Sequence, residues 1–161
     1  MCPVTRRLAV MCVLAVFVLG VASRSTAAQD TDFDAASLTG VGAIKVLVED
    51  LPDGAKLLGL SADMIQTDVE LKLRLAGMRV VTAGRPYLYV RVTLTDDAQA
   101  ASIEVQLRQS VLLVSNSQRT IGSTWGMTTL ISHPNTEVIR NTIKDAVDRF
   151  LNAWLSVNSK K

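Results

Sequence analysis

His133 is the first residue to consider for chemistry, because imidazole is a common general base and metal ligand near neutral pH. It is the only histidine in the chain and precedes Pro134 at a predicted strand-to-helix junction. Neither cysteines nor clustered acids lie near it in the sequence, so the ligand spacing of a zinc site is missing. We therefore predict no metal and no cofactor, and we expect His133 to have a structural role.

A catalytic site would have to be assembled from dispersed residues. Glu49 and Asp50 are adjacent at the end of a predicted strand, where neighbouring side chains point to opposite faces and make a poor acid–base pair. The sequence contains no Gly-x-Ser-x-Gly elbow, phosphate loop or dinucleotide-binding glycine pattern. We predict a protein that is not an enzyme and has no catalytic residues. A hydrolase that brings Glu49, Glu104 and Arg91 together, with His133, stays open as an alternative.

Two alternating strands predict a polar and aromatic sheet face. Tyr87–Leu94 and Ile103–Val114 each place apolar side chains on one face and polar or aromatic side chains on the other. The residue types on the second face are those enriched at binding hot spots. The alternative is an ordinary solvated face stabilised by cross-strand pairs. The predicted partner-binding residues are Tyr87, Tyr89, Arg91, Gln106, Arg108 and, if the register of the last strand allows it, Trp125.

The segment Ser61–Gly77 predicts the helix that organises the sheet. Ser61 is a suitable N-cap, and Gly77 suits the left-handed residue that follows a helix. The flanking segments Val41–Glu49 and Arg79–Thr82 have the character of strands. We therefore expect a β-α-β crossover unit.

One cation lies within the apolar stripe of this helix. At roughly 100° per residue, the predicted stripe contains Ala62, Ile65, Val69, Leu73 and Ala76, widened by Met64, Leu71 and Leu75. Lys72 falls inside the stripe. We expect its stem to pack while its ammonium reaches solvent or pairs with Asp68 at i−4. A buried functional cation is the alternative.

The remaining sequence predicts hairpin-linked strands and a closing helix. After Arg79–Thr82 come Tyr87–Leu94, Ile103–Val114 and Thr120–Ser132, and a helix begins near Pro134–Thr136 with Asn135 or Thr136 as its cap. The predicted fold is a single α+β domain of order β-α-β-β-β-β-α. Its five-stranded sheet is mixed and mostly antiparallel, with two helices on one face. The Thr- and Gly-rich last strand, if it is an edge, could accept a strand from a partner.

The N-terminus has the features of a secretory signal. Arg6 and Arg7 precede the apolar run Leu8–Leu19, and small residues allow cleavage near Ala28–Gln29. We predict a signal peptide over 1–28, a flexible leader over 29–39, the domain over 40–158 and a tail over 159–161. The expected location is the periplasm or the extracellular space. The run is short for a membrane span, and a retained N-terminal anchor is the alternative.

Processing changes both charge and thiol content. Removing Arg6, Arg7 and Arg24 leaves 14 basic against 15 acidic residues, a net charge of −1. A nearly neutral chain with dispersed charge lacks the basic patch expected of a nucleic-acid partner. Cys2 and Cys12 are also removed, so the mature domain must fold on its core without a disulfide.

Four segments carry a resemblance to known proteins. Val46–Leu51, Thr67–Gly77, Tyr87–Val92 and Phe150–Asn158 resemble a group of small, exported, uncharacterised bacterial proteins. The element order is also similar to envelope accessory domains, namely the N-terminal domain of the Tol-system translocation protein, LpoB-type activators of penicillin-binding proteins and curli-secretion lipoproteins. These resemblances imply an accessory role in the cell envelope. Cys12 lies in the middle of the apolar run, unlike a lipid-attachment cysteine.

Taken together, these features predict a non-catalytic, exported periplasmic domain that binds an envelope protein, without a stable membrane span once the signal is cleaved. A small-ligand-binding protein is the alternative, with a cleft near Trp125 and His133. The identity of the partner and the oligomeric state stay open.

Overall fold

The computed structural model describes residues 35–159, so the predicted signal peptide and residues 29–34 of the predicted leader lie outside the described residues. The predicted α+β order is confirmed, with one short helix added in the first connection. The elements in chain order are β1 (Ala43–Val48), α1 (Asp53–Leu57), α2 (Ala62–Leu75), β2 (Arg79–Val80), β3 (Tyr87–Leu94), β4 (Ala100–Leu112), β5 (Arg119–Ser132) and α3 (Thr136–Asn158).

The five strands form one mixed sheet in the order β2-β1-β3-β4-β5. Strand β1 is parallel to β2 and to β3, whereas the β3–β4 and β4–β5 pairs are antiparallel. The crossover predicted for the central helix is confirmed, because α2 joins the parallel strands β1 and β2. The predicted hairpin between β2 and β3 is wrong, since β1 lies between them. This order pairs backbone groups on both edges of β1, which a buried strand requires.

Local signals fix the ends of the two long helices. The hydroxyl of Ser61 accepts a hydrogen bond from the Met64 amide at 3.2 Å, and Gly77 has a φ of +84°. Both predictions for α2 are therefore confirmed. The Oδ1 atom of Asn135 accepts from the Val138 amide at 2.9 Å, so Asn135 is the N-cap of α3.

The core lies between one face of the sheet and helices α2 and α3. Its largest fully buried side chains include Trp125, Phe150, Leu38, Ile44, Ile65, Leu73, Leu88, Ile103, Leu107, Ile139 and Ile143. The predicted widening of the α2 stripe is confirmed for Met64, which packs against the core, and is wrong for Leu71 and Leu75, which are exposed. Each lies two residues from the buried Leu73, which places it roughly 160° away around the helix.

The first described residues belong to the domain. Leu38 is fully buried in the core. The Asn158 side chain donates to the Leu38 carbonyl at 2.9 Å and accepts from the Gly40 amide at 2.8 Å. The Trp154 indole donates to the Val41 carbonyl at 2.7 Å. The predicted flexible leader is therefore wrong for residues 35–39, because the last turns of α3 hold this segment against the core.

An ion network joins α2 to α3. The Asp68 carboxylate accepts from Arg140 Nε at 2.8 Å and from Arg140 Nη2 at 3.0 Å, and it lies 3.4 Å from Lys144 Nζ. Lys72 pairs with Asp148 on α3 at 2.5 Å. The predicted i−4 pair between Lys72 and Asp68 is wrong, because each side chain reaches across to α3. From the Asp68–Arg140 contact to the Lys72–Asp148 contact, residue numbers increase along both helices, so α2 and α3 run in the same direction.

We expect Asp68→Asn to lower the free energy of unfolding at pH 7 by about 1 to 2 kcal/mol, since charge-assisted hydrogen bonds are lost at a site that solvent partly screens. Hydrogen bonding from Arg140 lowers the pKa of Asp68 below the ordinary value of an aspartate. Because the pKa of Asp68 is lower in the folded than in the unfolded state, its ionised carboxylate stabilises the fold at pH values above the unfolded-state pKa. This stabilisation is lost as the pH falls through the folded-state pKa.

Urea unfolding at pH 7 and at about pH 3 measures this effect, because the difference between wild type and Asp68→Asn must shrink at the lower pH. Asp63→Asn, at an exposed position on the same helix, is the matched control. A difference that does not change with pH would refute the role assigned to the Asp68 carboxylate.

Candidate partner-binding face of the sheet

The sheet face opposite the helices carries five of the six predicted binding residues. The register that places them there is Tyr87↔Arg108, Tyr89↔Gln106 and Arg91↔Glu104. The intervening residues Leu88, Val90, Val105 and Leu107 are buried in the core. The predicted grouping of these five side chains is therefore confirmed, while their role in binding stays a prediction.

Trp125 lies on the other face, so its predicted place is wrong. It is buried opposite Leu107 and contacts Phe150 edge to face, with ring centroids 5.2 Å apart. The cause is an irregularity in β5, where Arg108 pairs with Ser123 and Thr124 is left over. This extra residue reverses the alternation between the two halves of the strand. The small-ligand alternative loses support, since a buried Trp125 does not line an open cleft.

At the centre of the open face, Arg108 covers Tyr89. The guanidinium carbon of Arg108 lies 3.8 Å from the centroid of the Tyr89 ring, and Tyr89 is only 9% exposed. Arg108 Nε also donates to Gln106 Oε1 at 3.0 Å, and the Gln106 amide donates to Glu104. The surface therefore presents an ordered guanidinium, with the tyrosine ring beneath it as a support.

A glycine of the neighbouring strand makes room for this arrangement. Gly126 pairs with Gln106. A Cβ atom at Gly126 would lie 3.2 Å from Gln106 Cγ, which is closer than carbon atoms normally pack. Glycine at this position thus lets Gln106 lie along the sheet and bond to Arg108.

A second polar cluster lies at the end of β1. The Tyr89 hydroxyl donates to the Glu49 carboxylate, and Arg91 Nε lies 3.2 Å from Glu49 Oε2. Burial, followed by the neighbouring Glu49, raises the pKa of Tyr89, so the phenol stays protonated as a donor. A shallow depression of about 200 Å³ adjoins these residues, and its lining is Glu49, Asp50, Leu51, Pro52, Arg91, Val92 and Thr93.

This cluster contains part of the set proposed for a hydrolase. Glu49 and Arg91 are in contact, and Glu104 pairs with Arg91 in the sheet. Both carboxylates are already engaged as hydrogen-bond acceptors from neighbouring side chains of the sheet. His133 follows the C-terminal end of β5 and donates its amide to the Gln99 carbonyl. Strands β3 and β4 lie between β5 and β1, so the fold does not bring His133 beside Glu49. No group of three potential ligands for a metal occurs among residues 35–159.

Exposed leucines flank the polar centre of the open face. Leu47 of β1 pairs with Tyr89, and Leu130 of β5 pairs with Ser102. Both leucines are exposed. The alternation of β1 already assigned Leu47 to the side of Lys45 and Glu49, so the sequence contained this signal. Leu130 was not identified, because its face depended on a register that the sequence left undetermined.

Strand β5 forms one edge of the sheet, as its Thr- and Gly-rich sequence led us to consider. The Ser37 hydroxyl donates to the Thr124 carbonyl at 2.9 Å, so the N-terminal segment contacts part of this edge. Strand addition by a partner stays a prediction. None of the helices within residues 35–159 is long and apolar enough to cross a membrane.

Comparisons with known proteins give likenesses at the level of structure. No family model matches the chain, and no curated protein matches it. A PelC variant dodecamer from Paraburkholderia phytofirmans is 13% identical, with 71% of this chain and 88% of that chain covered and a TM-score of 0.40. A minor lipoprotein from Acinetobacter baumannii is 9% identical, with 73% and 93% covered and a TM-score of 0.34.

A rare lipoprotein B from Shewanella oneidensis is 14% identical, with 71% of this chain and 94% of that chain covered and a TM-score of 0.31. Structures similar to this chain thus include bacterial lipoproteins. At these values the likeness carries no argument about function. The more specific resemblances, to Tol, LpoB-type and curli-secretion domains, stay predictions.

Proposed function

We propose that this chain is a non-catalytic, exported domain that binds a protein partner in the cell envelope through the open face of its sheet. The observation that carries the proposal is the stack of Arg108 on Tyr89 at the centre of that face. An arginine held by an aromatic ring and by Gln106 has already lost much of its side-chain freedom. Binding through it therefore costs less conformational entropy than binding through a mobile arginine.

The charge pattern of the open face suits a protein better than a polyanion. Two acids flank Arg91, with Glu104 opposite it in the sheet and Glu49 Oε2 3.2 Å from its Nε. A nucleic acid or another uniformly acidic polymer would meet repulsion from these acids. A protein surface with donors, acceptors and small apolar patches can match all of them.

Export forms part of the same proposal. The N-terminal charge pair, apolar run and small residues near Ala28–Gln29 support it. A chain that passes through the inner membrane would meet its partner in the periplasm or at the cell surface. Cleavage near Ala28 would leave the whole described domain intact, since the described fold begins at Ala35.

Affinity capture of a C-terminally tagged chain after in-cell crosslinking tests the proposal. We expect Arg108→Ala to reduce partner recovery or affinity by about thirtyfold, the factor for a hot spot worth about 2 kcal/mol. Arg91→Ala, whose side chain is 52% exposed, should also weaken binding. Thr67→Ala, on the exposed face of α2, should bind like wild type.

Thermal unfolding of the same variants separates lost binding from lost folding, because Arg91 and Thr67 are both exposed. Recovery of the same partner at wild-type level by Arg108→Ala and by Arg91→Ala would exclude the open face. Recovery of no protein by the wild-type chain would count against a protein partner altogether.

A further inference from the structure

The β4–β5 hairpin extends beyond its neighbour β3. Strand β3 begins at Tyr87, which pairs with Arg108. The four residues Gln109–Leu112 continue β4 and pair only with Arg119–Gly122 of β5 in the described sheet. At about 3.3 Å per residue, this extension is roughly 13 Å long before its closing loop. We call residues 109–122 the hairpin arm.

The end of the hairpin arm is apolar and exposed. Leu112, Leu113 and Val114 are consecutive, and their exposed fractions are 61%, 41% and 98%. Ile121 on the returning strand is also exposed. Neighbouring strand residues point to opposite faces, so the apolar surface is present on both sides of the arm. Solvated hairpin ends are normally polar, and a projecting apolar end is typical of a surface that contacts another protein or a membrane.

The hairpin arm is ordered at its end. The Leu113 amide donates to the Gln118 carbonyl at 2.9 Å, and the Ser117 amide donates to the Leu113 carbonyl at 2.8 Å. The Asn116 side chain accepts from the Gln118 amide at 3.1 Å. These bonds close the loop, so Leu113 and Val114 are held at the end of a rigid hairpin.

The charge of this region is positive, although the predicted mature chain is nearly neutral. The hairpin arm contains Arg119 and no acidic residue. Arg119 pairs with Leu112 in the hairpin, which places a guanidinium beside the apolar end. An apolar end with an adjacent cation complements a surface that is anionic outside and apolar just beneath, as in a phospholipid bilayer.

The small size of the apolar end favours a lipid surface over a protein. A specific protein interface buries about 800 Å² on each partner, which is more than the four exposed apolar side chains of the hairpin arm provide. Contact with the headgroup region has no such minimum area, because its strength scales with the apolar area buried and with the attraction of basic residues to anionic lipid. A few apolar side chains beside a basic residue therefore give weak, reversible binding. The same reasoning disfavours a second copy of this chain as the occupant.

We propose that the hairpin arm makes a reversible contact with an anionic phospholipid surface. Leu113 and Val114 enter the headgroup and acyl boundary, and Arg119 pairs with lipid phosphate. This contact is separate from partner binding at Arg108 and Arg91, and it does not depend on it. The domain would thus be held at a membrane surface while its open sheet face stays available.

Vesicle flotation tests this proposal. The chain beginning at Gln29 is used, because it contains all the strands, long helices and core residues described within residues 35–159. It lacks the apolar run of the predicted signal peptide, so that run cannot bind the vesicles. The probes are vesicles of phosphatidylcholine with about a third phosphatidylglycerol, and vesicles of phosphatidylcholine alone. We expect the wild-type chain to float with the anionic vesicles.

A matched pair of double variants isolates the hairpin arm. Leu113→Ser with Val114→Ser should reduce vesicle binding by about tenfold or more, because apolar burial drives insertion. Leu57→Ser with Leu75→Ser removes two leucines that are 89% and 79% exposed elsewhere, and it should bind like wild type. Arg119→Gln should weaken binding to the anionic vesicles and reduce its sensitivity to salt.

Several results would overturn the proposal. The first is that the wild-type chain does not float with anionic vesicles. The second is that the Leu113 and Val114 double variant binds vesicles as well as wild type. The third is that both double variants lose vesicle binding to the same extent. A wild-type oligomer that dissociates in that variant, without vesicle binding, would assign the hairpin arm to an interface between copies instead. Thermal unfolding checks that both double variants are folded. None of these measurements involves the envelope partner, so a failure here leaves the proposed function standing.

Discussion

Trp125→Ala is expected to lower the free energy of unfolding by about 3 to 5 kcal/mol, the range for removing a large aromatic side chain from a core. Trp125 is 2% exposed and packs edge to face on Phe150 of α3. It is the core residue that β5 contributes at the point where α3 crosses the sheet. An alanine would leave a cavity between the edge strand and this helix.

Trp125→Phe should be far less damaging than Trp125→Ala. The indole Nε1 of Trp125 is buried without a hydrogen-bond partner within the described residues. An unsatisfied buried donor costs about 1 to 3 kcal/mol, and phenylalanine removes it while keeping an aromatic ring against Phe150. In Trp125→Phe, the loss of side-chain volume destabilises the fold, whereas removal of the unsatisfied indole N–H stabilises it, so the two effects oppose each other.

Chemical denaturation of wild type, Trp125→Ala and Trp125→Phe measures both changes. Thr128→Ala, at an exposed position on the other face of the same strand, is the control. If Trp125→Ala unfolds like the control, Trp125 is not in the core, and the open face regains it as a candidate binding residue. If phenylalanine is as damaging as alanine, the account of the unsatisfied indole is wrong.

Leu38→Ala is expected to lower the free energy of unfolding by about 2 to 5 kcal/mol, as for other fully buried leucines. Leu38 is fully buried, and its carbonyl accepts from Asn158 near the end of α3. A flexible leader would tolerate this change without effect. The substitution therefore tests whether the domain begins before Gly40.

Thr39→Ala, the exposed neighbour of Leu38, is the matched control for this measurement. We expect its change in unfolding free energy to stay within about 0.5 kcal/mol, as for most surface substitutions. Similar stabilities of Leu38→Ala and Thr39→Ala in the same denaturation experiment would show that residues 35–39 belong to a flexible leader and not to the folded domain.

Features determined by neighbouring residues were predictable from the sequence. The limits of α2 follow from a serine that caps its first turn and a glycine that adopts a positive φ after it. The faces of β3 and β4 follow from strict alternation of apolar and polar side chains. These signals act over a few residues, so a pattern in the sequence is enough to detect them.

Features determined by distant contacts were not predictable. The face of Trp125 depends on the leftover Thr124, and nothing in the local sequence marks that irregularity. Leu38 is buried because α3, more than a hundred residues later, ends beside it. Lys72 reaches Asp148 because α2 and α3 lie side by side and run in the same direction.

The candidate site also combines features that follow from the local sequence with features that depend on distant contacts. The five residues predicted to share a face do share it, because alternation and antiparallel pairing determine that result. Their accessibility differs from the expectation, since Arg108 covers Tyr89 and the guanidinium takes the exposed position. Stacking of one side chain on another depends on three-dimensional proximity, which alternation alone does not specify.

Site-specific photocrosslinking in cells tests the central claim, that the open face binds an envelope protein. A photoreactive phenylalanine analogue is placed at Tyr87 on the open face and, in a second strain, at Thr67 on α2. We predict that the Tyr87 position forms one or two defined adducts with envelope proteins and that the Thr67 position forms none of them. Identical adducts from both positions, or no adduct from Tyr87, would contradict the claim.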